Sequence, residues 1–311
     1  MGPTASGKTE VAREISKILP VEMISCDSMQ GYKGMSLITQ APAKGSARKK
    51  RGQTPLLPTH LVSFLDPSRE YNAAQFRKDS LALLPKIFKR KMIPMIVGGT
   101  GLYLRALLDG LFESKGVAPE KNEALRQKLL SEQAAHGGNY LHEKLKTVDP
   151  VSATKIHPND LRRIVRSLEV FHLTRKPISE QKPNRKGIRG EYDCRIFLLD
   201  RDRAELYERI NRRVNVMIKE GLVVEVKKIS RKKLSQTAQM ALGIREVQQV
   251  LRGDSTLEEA AERLKKNTRN YAKRQLSWFR HEKDVEIISI QSHENVNQTA
   301  AKIISRWQEA R

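Results

Sequence analysis

The chain opens on Gly2-Pro3-Thr4-Ala5-Ser6-Gly7-Lys8-Thr9, which fits the spacing G-x-x-x-x-G-K-[ST]. No other stretch limits the fold as much. Glycines let the backbone bend until successive N–H groups face one diphosphate, while Lys8 neutralises phosphate charge and the Thr9 hydroxyl can ligate Mg²⁺. A helix-period stretch over 10–18 follows at once, as the pattern requires. Gly2, Thr4, Ala5, Ser6, Gly7, Lys8 and Thr9 are therefore the candidate pyrophosphate-binding residues, with Thr9 the metal ligand. Such a loop normally follows a buried strand, yet only Met1 precedes Gly2. The expectation is a first strand missing through truncation or a misplaced start, with unpaired backbone groups left in the sheet.

The rest of the chain reads as alternating strands and helices. Val21 to Cys26 is a short strand, Phe76 to Lys89 a helix, and Met92 to Val97 a strand running into Gly98-Gly99-Thr100-Gly101. A helix from Leu102 to Leu108 follows, and the alternation argues for a parallel α/β sheet. From about 114 to 190 strands vanish, and helix-period stretches (122–136, 139–145, 160–174) suggest a small all-helical insertion. Cys194 to Leu199 reads as a return to the sheet, and Val285–Ile290 as a further strand among helices. The domain reading is 1–113 and 191–311 for the α/β core, and 114–190 for the insertion.

Charge points to the partner. Fifty-eight Lys and Arg against 35 Asp and Glu give a formal net charge of +23, an excess that draws polyanions, nucleic acid first among them. No apolar run approaches a membrane span. Two cysteines, Cys26 and Cys194, are too few for a disulfide framework and fit a reducing cytosol.

Five segments carry a resemblance in order along the chain. They are the phosphate loop, Ser25-Cys26-Asp27-Ser28-Met29-Gln30, Gly98-Gly99-Thr100-Gly101-Leu102-Tyr103, His157-Pro158-Asn159-Asp160 with Arg162–Arg166, and Ala272-Lys273-Arg274-Gln275. Together they resemble the tRNA dimethylallyltransferase (isopentenyltransferase) family. The resemblance implies a P-loop NTPase-like parallel sheet core with a helical insertion, acting as a cytoplasmic monomer. It implies dimethylallyl pyrophosphate as donor, Mg²⁺ as cofactor, and an adenosine in the anticodon stem-loop of tRNA as acceptor.

By that resemblance Asp27 is the general base toward the exocyclic amine of the target adenine. Thr100 lies near the target nucleotide and the donor phosphates, and Arg213 stabilises the departing pyrophosphate. The residues alone leave alternatives open. Asp27 also suits a turn cap before Ser28, Thr100 an N-cap for the helix at Leu102, and Arg213 a solvated basic face shared with Arg209 and Arg212. The resemblance also assigns tRNA contacts to Asp27, Ser28, Met29, Gln30, Arg162, Arg163, Arg166, Gly243, Arg245, Thr268, Arg269, Lys273, Arg274 and Gln275.

The stretch from about Thr256 to Arg280 can be read by helical projection alone. Leu257, Ala261, Leu264, Thr268, Tyr271, Ala272 and Phe279 fall on one side; Arg263, Lys266, Arg269, Lys273 and Arg280 fall on the other. From Arg263 to His281 there is no acid, so a phosphate-contacting face is favoured over an ordinary solvated one. The helix before Arg162 starts with Asn159 or Asp160 as cap, and His157 has no partner at metal-ligand spacing.

Two departures from the family pattern stand out. Gln40 replaces a small residue in Thr39-Gln40-Ala41-Pro42, and Lys44–Arg51 is unusually basic. Two other functions remain in contention. A P-loop kinase would normally place a carboxylate at the end of a later apolar strand, whereas 92–97 runs into Gly98-Gly99-Thr100. A non-catalytic RNA-binding protein retaining the loop is the other.

Overall fold

A computed structural model describes residues 1–41, 57–111, 122–181 and 186–309. In chain order the first elements are α1 (Lys8–Ile18), β1 (Val21–Cys26), α2 (Ser36–Thr39), β2 (Thr59–His60), α3 (Ala73–Lys89), β3 (Ile93–Gly98) and α4 (Gly101–Leu108). Next come α5 (Glu123–His136), α6 (Tyr140–Val148), α7 (Pro150–Ala153), α8 (Leu161–Thr174) and α9 (Ile178–Gln181). The last run is β4 (Ile196–Arg201), α10 (Arg203–Lys219), α11 (Leu222–Ile229), α12 (Gln236–Gln239), α13 (Ile244–Leu251), α14 (Leu257–Arg280), β5 (Val285–Ile290) and α15 (Val296–Gln308). They divide into two compact units, Met1–Leu107 with Asp193–Arg311, and Leu108–Tyr192. The insertion thus begins and ends slightly outside the 114–190 read from the sequence. The basic segment Lys44–Arg51 lies outside the described residues.

In the first unit β2, β1 and β3 pair in parallel in that order, with Met23 beside Thr59 and Met95. A second parallel pair joins β4 and β5, with Leu198 beside Ile287. Met1 and Gly2 run between the two pieces. The Met1 amino group donates to Phe197 O at 2.6 Å, Leu199 N donates to Met1 O at 2.9 Å, and Gly2 N donates to Gly98 O at 3.3 Å. Parallel neighbours need crossover connections, here carrying helices. One core cluster joins Val11, Ala12 and Ile15 of α1 to Val21 and Met23, Leu199, Ile288, Ile290, Ala300 and Ile304.

Every residue of β1 is buried, as expected of a strand with neighbours on both edges and covered faces. That places Glu22 inside, where a charge survives only with partners. Arg90 grips both its oxygens at 2.7 Å, and His60 Nε2 lies 2.7 Å away. The Arg90 hydrogen bonds first, helped by His60, hold the Glu22 carboxyl below its ordinary range against the cost of burial.

The second unit packs α5, α6 and α8 around Leu129, Leu141, Leu145, Ile164 and Leu168. Asn122 caps α5 through Leu125 N, and Asp160 rather than Asn159 caps α8 through Arg163 N. Glu169 is fully buried, and that burial opposes its ionisation. Arg126 with two 2.7 Å bonds, Arg166 at 2.6 Å and Asn122 N at 2.9 Å outweigh it, holding the carboxyl at about 2. Arg166, expected on tRNA, also neutralises this buried carboxylate. Arg162 and Arg163 are exposed on α8, and Arg163 lies 3.7 Å from Asp160.

Glu22→Gln is expected to lower Tm by several degrees at neutral pH, through loss of about 2 kcal/mol of charge-assisted hydrogen bonding. A carboxylate with a depressed folded-state pKa stabilises fully above the unfolded value and ceases to do so as pH falls through the folded one. The gap between variant and wild type should therefore close below about pH 4.5, the ordinary glutamate value. Melts at stepped pH check both statements.

Candidate active site

The phosphate loop runs from Gly2 into the first turn of α1. Ala5 sits at φ 64° and Gly7 at φ 98°, so two left-handed residues bend the chain around one centre. Lys8 Nζ donates back to Pro3 O at 2.6 Å. The other loop carbonyls are met from behind by arginines. Arg201, at the end of β4, donates from Nε to Ser6 O at 3.0 Å, and Arg209 donates from Nε to Ala5 O at 2.9 Å. Arg213 donates from Nη1 to the Thr4 hydroxyl at 3.3 Å. Arg209 and Arg213 stand four apart on α10, so they share one face. Arg212 is exposed, and among the three candidate arginines Arg213 reaches the loop's side chain.

Positive charge gathers here, with Glu205 paired to Arg201 and Glu10 pulling Lys8 and Arg213 toward their charged forms. Desolvation lowers the Lys8 pKa to about 8, with Asp27 opposing the shift and Arg213 adding to it. Desolvation also lowers that of Arg213, and neighbouring Arg209 contributes. A diphosphate seated in the loop would relieve both cations.

Asp27 leaves the carboxyl end of β1 beside this cluster. Its Oδ1 accepts from Met29 N at 2.9 Å and Gln30 N at 3.4 Å, so the turn-cap geometry is present. Burial nonetheless raises its pKa, overcoming those bonds and the pull of Lys8. Thr100 ends β3. Its carbonyl accepts from Tyr103 N and Leu104 N, opening α4, while its hydroxyl accepts from Ser28 N at 3.1 Å rather than capping the helix. Burial pushes the pKa of Tyr271, on α14, to about 12, with nearby Asp27 adding to the shift and the Thr100 side chain opposing it. Gly101 must be glycine, since a Cβ there would lie 2.3 Å from the Trp278 ring.

Comparison with known proteins fits this geometry. The family model described as IPP transferase matches residues 30–282. The chain belongs to the IPP transferase family. It is similar to the tRNA dimethylallyltransferase of Halothermothrix orenii, 41% identical over 288 residues, covering 92% of this chain and 84% of that protein. A Thermoanaerobacter relative of the same name is 41% identical over 309 residues, covering 98% and 95%. Among solved structures, the full-length tRNA isopentenylpyrophosphate transferase of Bacillus halodurans aligns with TM-score 0.66 and 35% identity over 99% and 95% of the two chains. A eukaryotic dimethylallyltransferase acting on tRNA aligns at TM-score 0.79 and 26% identity, over 100% and 78%.

Within this family member several expected RNA contacts have other tasks. The carboxamide of Gln30 accepts from the Ser25 hydroxyl at 2.8 Å and donates to Gln40 O at 3.3 Å. Gln40 itself takes φ 51°, a left-handed conformation that is unfavourable for any residue with a Cβ. Thr268 is buried and bonds Leu264 O within its own helix, and Gln275 is buried against two loops. Gly243 is the left-handed N-cap of α13 and donates to Glu246. Arg269 donates to Asn211 at 2.7 Å and lies over Tyr207. The outward face of α14 is correspondingly narrower than projected. Arg263 has Nε and one Nη buried without a partner, and Arg280 pairs with Asp200. Lys266, Lys273 and Arg274 remain exposed, as does Arg245 on α13. Met29 is half-buried beside Asp27. Sequence reasoning missed Arg201 and gave Arg209 no task at the loop; the four-residue spacing 201, 205, 209, 213 was the available signal.

A buried acid with a raised pKa costs stability when ionised, and the cost appears as pH rises. Asp27→Asn keeps the acceptor for Met29 N and removes the charge. The variant is expected to melt above wild type at pH 8, with the gap closing as pH falls and the wild-type carboxyl protonates. Calorimetric melts across that range decide it.

Proposed function

We propose that this chain transfers a dimethylallyl group from dimethylallyl pyrophosphate to the exocyclic N6 amine of an adenosine next to the anticodon of tRNA. Pyrophosphate is released. The observation that carries this reading is the meeting of a buried carboxyl group, Asp27, with the desolvated cations Lys8 and Arg213 at the phosphate loop. One suits a proton acceptor, the others a departing diphosphate. The allylic C–O bond breaks with its electron pair going to pyrophosphate, a C–N bond forms to N6, and the displaced amine proton passes to Asp27. Lys8, Arg213 and the loop N–H groups take up the charge on the leaving group. Thr100 and Tyr271 orient the acceptor side.

Mg²⁺ fits as a hard cation held by the Thr9 hydroxyl together with substrate phosphate oxygens, since such ions keep most of their water and need few protein ligands. When bound it would supply further neutralisation of the diphosphate. Among the described residues no helix is long and apolar enough to cross a membrane, and Cys26 is a buried thiol outside any disulfide. Both suit a cytoplasmic enzyme, which we take to act as a monomer.

The test is incubation with Mg²⁺, labelled dimethylallyl pyrophosphate and unmodified tRNA. Label should enter the RNA and fail to do so without metal; ATP-dependent phosphorylation of a small acceptor would instead mark a kinase. Asp27→Ala should reduce turnover by roughly two or more orders of magnitude, the scale of general-base loss, while tRNA affinity changes far less. Normal single-turnover rates in that variant would leave Asp27 a turn cap.

The exposed lysines of α14 carry a separate expectation. Lys266→Ala and Lys273→Ala should each weaken tRNA binding and flatten log affinity against log salt by about 0.7 per lost contact on single-stranded RNA. Tm should barely move, since exposed charges contribute little to folding. Affinities measured over a salt series check this, and an unaltered slope would mark the face as merely solvated.

A further inference from the structure

We propose that Gln275 is a positioning residue, a strut whose carboxamide fixes the phosphate loop relative to the turn that carries Thr100. The proposal rests on the prenyl-transfer reading of the same site and adds a residue that touches neither substrate. Gln275 is 6% exposed. Its Oε1 accepts from Thr4 N at 2.8 Å and its Nε2 donates to Gly99 O at 2.8 Å. The amide orientation is fixed by its partners, because rotating it would set donor against donor and acceptor against acceptor.

The two loops already meet at their base, where Gly2 N donates to Gly98 O. That bond lies at the base alone, and the strut ties the loops further out, at Thr4 itself and one residue before Thr100. Thr4 carries the hydroxyl held by Arg213, and Thr100 follows Gly99. Donor pole and acceptor pole are thus spaced by one side chain, and misplacement by even an ångström is costly to a reaction that depends on alignment.

Neighbouring residues of α14 support the strut. Ala272 packs on Ala5, and Trp278 lies where a Cβ on Gly101 would fall. Gly99 is shaped to the strut itself, because a Cβ there would come within 2.2 Å of Gln275 Nε2. The next nearest atoms are Gly2 O at 3.1 Å and Gln275 Cδ at 3.2 Å. The severe clash of a methyl group at Gly99 is thus with Gln275, and the contact with Gly2 O is milder.

The experiment uses full-length protein carrying Gln275→Met, Gln275→Glu, Gln275→Ala, Gly99→Ala and the Gly99→Ala/Gln275→Ala pair. Steady-state rates, pyrophosphate titration with Mg²⁺ and melts are measured on each. Gln275→Met, similar in volume but unable to bridge, should lower kcat by about 10–100-fold with KM for tRNA within about twofold. Gln275→Glu should lose more despite its shape, because a carboxylate would face the Gly99 carbonyl. Gly99→Ala should be harmful alone yet cost under about threefold once Gln275 is Ala, the non-additivity expected of a shared contact. The strut is overturned if Gln275→Met keeps kcat within about twofold of wild type, or if the Gly99 and Gln275 losses multiply. Should Gln275→Met fail to fold, the Gly99–Gln275 cycle makes the decision. Wild-type protein that binds pyrophosphate but transfers no prenyl group overturns the reaction, not the strut. The strut is then judged by pyrophosphate affinity, expected to be at least about tenfold weaker in Gln275→Met.

Discussion

A loop that turns its N–H groups toward a diphosphate must find partners for the carbonyls it turns away. Buried carbonyls without partners are expensive, and glycine flexibility alone supplies none. Here Lys8 takes Pro3 O, Arg209 takes Ala5 O and Arg201 takes Ser6 O. Those bonds also stabilise Ala5 at φ 64°, a conformation unfavourable for a residue with a Cβ. Packing of Ala5 against Leu206, Ile210 and Ala272 completes the support. The loop's shape is thus imposed from behind, by α10 and α14, as much as by its own glycines.

This arrangement carries an electrostatic consequence. Arg201 is paired with Glu205, while Arg209 and Arg213 stand together on one face of α10, and burial above all leaves both Lys8 and Arg213 with lowered pKa values. Asp27, beside them, is shifted upward by burial. Groups of opposite sign are each pushed toward their neutral forms by burial, a pattern common where binding or chemistry sets the requirement. The ion pairs far from the centre behave differently. Glu22 with Arg90, and Glu169 with Arg126 and Arg166, are fully partnered and shifted toward their charged forms.

Local order was largely legible in the sequence. Val21–Cys26 and Val285–Ile290 are strands with the ends read from their apolar pattern, and the caps Asn122, Asp160 and Thr256 fall at helix starts. What escaped was decided by distance rather than period. β2 is two residues long, too short to show alternation. The projection of α14 sorted residues by Cα direction, but long side chains bend away from it. Arg263 is accordingly tucked in, and Arg269 lies on Tyr207. Gln275 was assigned to tRNA by motif, and the motif gave no sign of its buried position or of its two backbone partners within the protein. No pattern of polar residues distinguishes an amide that meets RNA from one that meets a loop.

The helix α14 shows how one element serves two demands. Its 24 residues place Ala272, Gln275 and Phe279 inward and Lys266, Lys273 and Arg274 outward. The inward residues act through short-range packing and hydrogen bonds, which fail over fractions of an ångström and are indifferent to salt. The outward ones act through charge in water, which tolerates movement and is screened over about 10 Å at ordinary ionic strength. Because the two mechanisms have different ranges, a single rigid helix can hold the site to tight tolerance on one side. On the other it can offer a forgiving surface to a flexible polyanion.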